Sequence, residues 1–205
     1  DYAADLEGFA RAAGLDRFIV AGHSLGARTG MVYAAQHPER LTSLILVGGP
    51  HFSTLKPGAD VERWQAQAST MRTRSRGYAS AAEARAVLAA QYPHWSDATL
   101  DPCVRHNTNP LPDGGVEWKY DPHFVAEGLD HALDDLRGYA AKIRCPVLLL
   151  RAGRSWELTP ERMPEVQQLL PTARTVTIPS GIQTLELETP AEVAAEMRKF
   201  LAGEP

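Results

Sequence analysis

The sequence is short of several things, and each shortage excludes a class of explanation. It holds two cysteines, Cys103 and Cys145, far apart and without metal-ligand spacing to any neighbour. Neither a disulfide framework nor a thiolate metal site is expected, and reduced thiols point to a cytoplasmic setting. No apolar run approaches the roughly 18 residues of a membrane span. The longest, such as Val147-Leu148-Leu149-Leu150, are strand-sized, and no basic-then-apolar leader opens the chain at Asp1. Charge of either sign is not in excess: 21 basic against 25 acidic residues give a net −4, which offers nucleic acid or anionic membrane no electrostatic handle. The seven histidines are too scattered for a metal site, and none follows His131. Gly22-x-x-x-Gly26 is not a dinucleotide fingerprint, and no phosphate-loop lysine follows it. The expectation is a protein with no metal, no cofactor, no nucleic acid and no membrane, whose partner is a small apolar molecule.

What is present centres on Gly22-His23-Ser24-Leu25-Gly26. The apolar run Phe18-Ile19-Val20-Ala21 precedes it, and a breaker-free stretch runs on from Ala27 to His37. Strand, tight turn and helix, with a serine at the turn, is the geometry a nucleophilic serine needs. The turn lifts the hydroxyl clear of the sheet and aims the following backbone N–H groups at the same space. Both glycines are expected to let strand and helix approach where a Cβ would clash.

Around this motif, continuous apolar strands alternate with helices. Strands are predicted at 17–22, 41–47, 146–151 and 174–178, and helices at 3–13, 25–36, after Thr159 and from Thr189 to about 202. Thr159 reads as a hydroxyl cap, and Thr189-x-x-Glu192 as a capping box. The pattern predicts an α/β fold, a parallel sheet with helices on both faces. The stretch 51–135 differs. It lacks long apolar strands, reads as helix and loop, and holds Trp64, Trp95 and Trp118. The division expected is a core of 1–50 and 136–205 with a helical lid inserted at 51–135. A self-contained helical subdomain that buries its own aromatics is the alternative.

With these pieces assembled, the chain resembles the α/β-hydrolase superfamily, in its lid-bearing serine hydrolase and esterase-like branch. The resemblance rests on Ala21-Gly22-His23-Ser24-Leu25-Gly26-Ala27, His37-Pro38-Glu39-Arg40-Leu41, Trp118-Lys119-Tyr120-Asp121-Pro122, Ile143-Arg144-Cys145-Pro146-Val147-Leu148-Leu149 and Val176-Thr177-Ile178-Pro179. It covers only the later part of that fold. The N-terminal strands, and the loop donating a second oxyanion N–H, are expected to be missing. The strand carrying Ser24 would then have an open edge, to be covered by a missing N-terminal segment or by self-association.

The resemblance implies that Ser24 is the nucleophile and that the Leu25 N–H belongs to the oxyanion hole. It implies an acid after the strand at 146–151, in a phrase like Gly-x-x-Ser-Asp. The phrase here is Gly153-Arg154-Ser155-Trp156-Glu157, with Trp156 at the acid position. Glu157, one place late, is expected to be an exposed loop carboxylate. The histidine should follow the last strand, where Gln183 stands instead. Glutamine can hydrogen-bond a serine but cannot accept its proton near neutral pH. His23 has a structural role in such folds, near the oxyanion region. His51 could face the same cavity, and with Trp95 and Trp118 it completes the expected pocket. The function expected is therefore that of a family member descended from hydrolases of small apolar esters, inactive or very weak here. A non-catalytic small-molecule-binding protein is the alternative, and an unconventional base such as His51 or Glu157 a third reading.

Overall fold

The computed structural model describes residues 2–49, 59–131 and 134–204. The chain divides into two compact units, Asp1–Lys56 with Leu133–Pro205, and Pro57–Ala132.

The first unit is built on a parallel sheet of four strands in the order β1-β2-β6-β7. These are β1 (Phe18–His23), β2 (Leu41–Val47), β6 (Val147–Ala152) and β7 (Arg174–Ile178). Register aligns Val20 with Leu44, Leu46 with Leu149 and Leu150 with Val176. The inner strands read as unbroken apolar runs because both of their faces are covered. One face of the sheet carries Val20, Leu44, Leu46, Val147 and Leu149, packed with α1 (Tyr2–Ala12), α2 (Leu25–Gln36), α7 (Arg137–Ala140) and α8 (Met163–Leu169). The other carries Ile45, Val47, Leu148, Leu150 and Ile178 against α9 (Leu185–Glu188) and α10 (Pro190–Leu201). A fully buried side chain such as Leu148 contributes about 1.5–3 kcal/mol by leaving water. At the edge strand β1 the alternation shows: Val20 is buried while Ile19 and Ala21 are exposed.

The expected strands and helices are all present, with ends moved by a residue or so. Both expected hydroxyl caps fail. Neither Thr159 nor Thr189 caps with its side chain. A 3₁₀ turn at Pro160–Arg162 follows Thr159 and leads into α8. The Thr189 hydroxyl donates back to the Leu185 carbonyl at 3.1 Å, and Glu192 accepts from the Ser180 hydroxyl.

The second unit holds α3 (Ala59–Thr73), α4 (Ala81–Gln91), α5 (Asp97–Asn107) and α6 (Pro122–Asp130). It also holds a small antiparallel sheet, β3 (Gly77–Tyr78), β5 (Val116–Trp118) and β4 (Thr108–Pro110), which a reading of helix and loop did not anticipate. Ser80 caps α4 by accepting the Glu83 N–H, and Glu83 returns to accept the Ala79 N–H, a close variant of the capping box. Trp118 is buried, edge-on to Tyr78 and stacked on Tyr120, and Trp95 stacks on Tyr92 at 4.1 Å.

Glu7 fastens α1 to the core. Its carboxylate accepts the Tyr33 hydroxyl at 2.6 Å and the Arg11 guanidinium, and it faces Arg40. The Tyr33 hydrogen bond, then Arg11, hold its pKa down to about 2, against an ordinary 4.5. A folded value below the unfolded one gives stability that is full above the unfolded pKa and is lost as pH falls through the folded one. Glu7→Gln should therefore flatten the fall in Tm between pH 4.5 and 2. Parallel wild-type and variant curves across that window would remove this role from Glu7.

Candidate active site

The turn between β1 and α2 is fixed by steric contact. A Cβ at Gly22 would overlap the Gly26 carbonyl group and lie 2.7 Å from the Ala27 nitrogen, so only glycine fits. A Cβ at Gly26 meets nothing within 4 Å. The expectation that both glycines are required is corrected: the contact needs a missing side chain at 22 alone. This approach forces Ser24 to φ 48, ψ −112, and Ser24 is the single non-glycine residue with positive φ among the described residues. Such a backbone costs on the order of 1–3 kcal/mol and persists only where its surroundings over-determine it. Here they do. The Ser24 N–H donates to the Val47 carbonyl at 3.2 Å, and the Ser24 carbonyl accepts from Ala27 and Arg28.

A serine at a helix N-cap ordinarily turns its oxygen onto the first-turn amides. Ser24 makes no such bond. Its hydroxyl is thus not committed to holding the helix. Leu25 stands at the first helical position, where a backbone N–H has no intrahelical acceptor.

The segments expected to hold the serine's partners leave the carboxyl ends of neighbouring strands, the usual place for chemistry in an open α/β sheet. After β2 comes Gly48, with φ +67. A Cβ there would lie 3.1 Å from the Gln183 carbonyl and 3.2 Å from His23 Cδ2, and one at Gly49 would lie 3.8 Å from Ser24 Cα. The structure therefore brings His23, Ser24 and the Gln183 backbone together around Gly48-Gly49.

The loops after β6 and β7 are tied to each other by Gly153 N–H to Ile178 O and Arg154 N–H to Gly181 O. Trp156 is half-buried in the first, its carbonyl accepting from Arg162, and Gln183 is half-buried in the second. Glu188 holds the second loop in place. Its carboxylate accepts the N–H groups of Ile182, Gln183 and Thr184 and the Thr184 hydroxyl. Burial alone would raise its pKa, but these donors outweigh it and bring the value to about 2.

Two carboxylates stand where the sequence did not announce them. Glu157 is 3% exposed, which corrects the expected exposed loop residue. It lies in the field of the buried Arg28 on α2, whose pKa burial lowers while Asp134 and Glu157 oppose the shift. Glu186 Oε1 stands 3.1 Å from His23 Nδ1. Nothing in the alternation Leu185-Glu186-Leu187-Glu188 separates a partner for His23 from a clamp on backbone amides. His51 lies outside the described residues, while Trp95 and Trp118 pack on aromatic rings of the second unit. Among the described residues, no three His, Cys, Asp or Glu side chains could hold a metal ion, and no helix is long and apolar enough to cross a membrane.

The family model for the alpha/beta hydrolase fold matches residues 1–181. The chain belongs to the alpha/beta hydrolase family. As a hydrolase-family chain it is 32% identical to N-formylmaleamate deformylase of Pseudomonas putida over 174 residues, 82% of this chain and 58% of that one. It is 24% identical to 2-(acetamidomethylene)succinate hydrolase of Mesorhizobium japonicum over 88% of this chain and 63% of the relative. The hydrolase-family chain thus spans about three fifths of the length of these curated relatives. Its fold matches the crystal structure of E-2-(acetamidomethylene)succinate hydrolase with a TM-score of 0.85 at 21% identity, over 98% of this chain and 72% of that one.

The two glycines of the turn should respond oppositely to alanine. Gly22→Ala should cost about 3 kcal/mol or more, because backbone must move to admit the methyl. Gly26→Ala should be neutral or stabilising by about 0.5–1 kcal/mol, as for a helical glycine. Urea denaturation of the two variants checks this, and equal losses would show that the close approach is not one-sided.

Proposed function

We propose that this chain is a serine-dependent acyl-transfer protein of the hydrolase family whose turnover is very slow. Ser24 attacks a carbonyl carbon, and the Leu25 N–H helps to hold the oxygen that becomes negative. The observation that carries this reading is the Ser24 hydroxyl at the strand-to-helix turn, not spent on capping α2. The slow rate follows from the partner positions. Trp156 brings no carboxylate, and Gln183 brings an amide that can bond the serine but cannot take its proton. In a serine protease the loss of the histidine alone costs on the order of 10⁶ in kcat, while oxyanion hole and binding leave roughly 10³–10⁴ over water.

The substrate is taken to be a small, largely apolar acyl compound, an ester or an amide. The names of the curated relatives, a deformylase and a hydrolase of an acetamido compound, support an acyl carbonyl as the reacting group. The unit inserted in the chain between β2 and β6 is proposed as a lid, with Trp95 and Trp118 as its apolar content. The open edge of β1 is proposed to be covered by another strand, from a second copy or from polypeptide ahead of Asp1. A second reading, binding without turnover, draws on Gln183, which can hold a polar group of a ligand.

Wild-type hydrolysis of p-nitrophenyl acetate should be slow and should fall further in Ser24→Ala. Installing the absent partners with Trp156→Asp and Gln183→His together should raise kcat at least about 100-fold. A fast wild-type burst that Ser24→Ala abolishes would overturn the slow-turnover reading. Identical wild-type and Ser24→Ala rates would favour binding without turnover.

A further inference from the structure

We propose that His23 and Glu186 form the general base of the Ser24 centre, taking over the task that Gln183 cannot perform. The assignment rests on the reading of Ser24 as nucleophile. His23 is the last residue of β1, immediately before Ser24. Its Nδ1 lies 3.1 Å from Glu186 Oε1 on α9. A carboxylate on Nδ1 fixes the tautomer with the proton there, so that Nε2 keeps its lone pair.

Further contacts define the setting of the ring and of its carboxylate. The ring packs over Gly48, where a Cβ would come within 3.4 Å of Nε2, so the missing side chain at 48 leaves room for this edge of the imidazole. The next residue, Gly49, lies against Ser24. The carboxylate is also not consumed by other donors. Glu186 Oε2 is shielded from water and has no protein hydrogen-bond partner among the described residues. Glu188, two residues on, has its oxygens on the amides of Ile182–Thr184. Among the described residues, the charged group against His23 is Glu186 on α9, and the ring edge packs at Gly48.

The chemistry balances without any added redox partner. The Ser24 proton passes to Nε2 across one water. As it leaves, Oγ forms a bond to the carbonyl carbon and the carbonyl electron pair moves to the oxygen facing the Leu25 N–H. Collapse of the adduct breaks the bond to the leaving alcohol, which departs with the proton from the imidazolium. A second water then attacks the acyl-enzyme, again giving a proton to Nε2; the acyl–Oγ bond breaks, the imidazolium returns its proton to Oγ, and acid and free Ser24 are released. The extra water makes this base slower than a directly bonded histidine, in keeping with slow turnover.

The test follows acetylation of Ser24 by p-nitrophenyl acetate, read by mass spectrometry between pH 5 and 9. In the wild type the acetylation rate should rise with pH to a plateau, as expected of a base that acts only in its neutral form. His23→Gln should flatten the profile and lower the plateau by roughly 10²–10⁴-fold. Glu186→Gln should lower it at least about tenfold while leaving Ser24 reactive. Added imidazole should restore acetylation in His23→Gly. A merely structural histidine would give neither the altered pH profile nor the rescue. Should His23→Gln lose its thermal transition, His23→Asn and the Glu186→Gln variant on the half-exposed α9 carry the same readouts. Ser24 acetylation with an unchanged profile in the folded variants would overturn the proposal and leave Ser24 as nucleophile. No acetylation of wild-type Ser24 would overturn both.

Discussion

The structure depends on the contact between Gly22 and Gly26. With no side chain at 22, the end of β1 and the start of α2 come closer than any Cβ permits. The chain must then reverse within one residue, and that residue takes a backbone that a side chain rarely adopts. The strain is held by hydrogen bonds on both sides of Ser24, from its N–H to β2 and from the first-turn amides to its carbonyl. α2 is anchored in turn by the core it buries, including Met31 and Tyr33, and Tyr33 reaches α1 through Glu7. The serine geometry is thus a consequence of how helix and sheet pack over their whole length.

Three carboxylates near the carboxyl ends of the strands show how environment gives one side-chain type different work. Glu188 meets several amides and is held ionised as a clamp on the loop after β7. Glu157 is buried where Arg28 supplies opposite charge, so it belongs to the attachment of α2 to the loop after β6. Glu186 meets an imidazole. An imidazole has one ring nitrogen to donate and one to accept, which makes this carboxylate the one that bears on proton transfer.

The fold was legible in the sequence because its inner strands carry unbroken apolar runs. Residues 44–47 and 147–150 are buried on both faces, while the edge strand Arg174–Ile178 alternates and still lies where its residues place it. The two-to-three-residue strands β3, β4 and β5 were not legible, since such short segments have no periodicity. Caps were read from spacing, and spacing misled at Thr189. Its backbone, φ −138 and ψ 51, departs from the extended form in which a hydroxyl reaches the N3 amide, whereas Ser80 at φ −160, ψ 161 has that form and caps α4. Of the site, Ser24 and the substituted positions Trp156 and Gln183 are local in sequence and could be found. The pairing of His23 with Glu186 and the burial of Glu157 opposite Arg28 join segments far apart in the chain. No local pattern encodes those contacts.

A strained serine is often taken as a sign of catalysis, yet here the strain has a cause that does not require it. Removing the acid and the histidine changes nothing in the contact that sets φ at Ser24, since neither position takes part in it. The elbow would survive in a chain that no longer turns over any substrate. Its presence therefore marks descent and placement, and the weight of a functional reading falls on the partner positions. Of these, Gln183 has no proton-accepting chemistry and Trp156 no charge. The imidazole beside Gly48 has a carboxylate to orient it. The acyl transfer proposed for this chain runs through that ring, whose direction Glu186 fixes from its Nδ1 side.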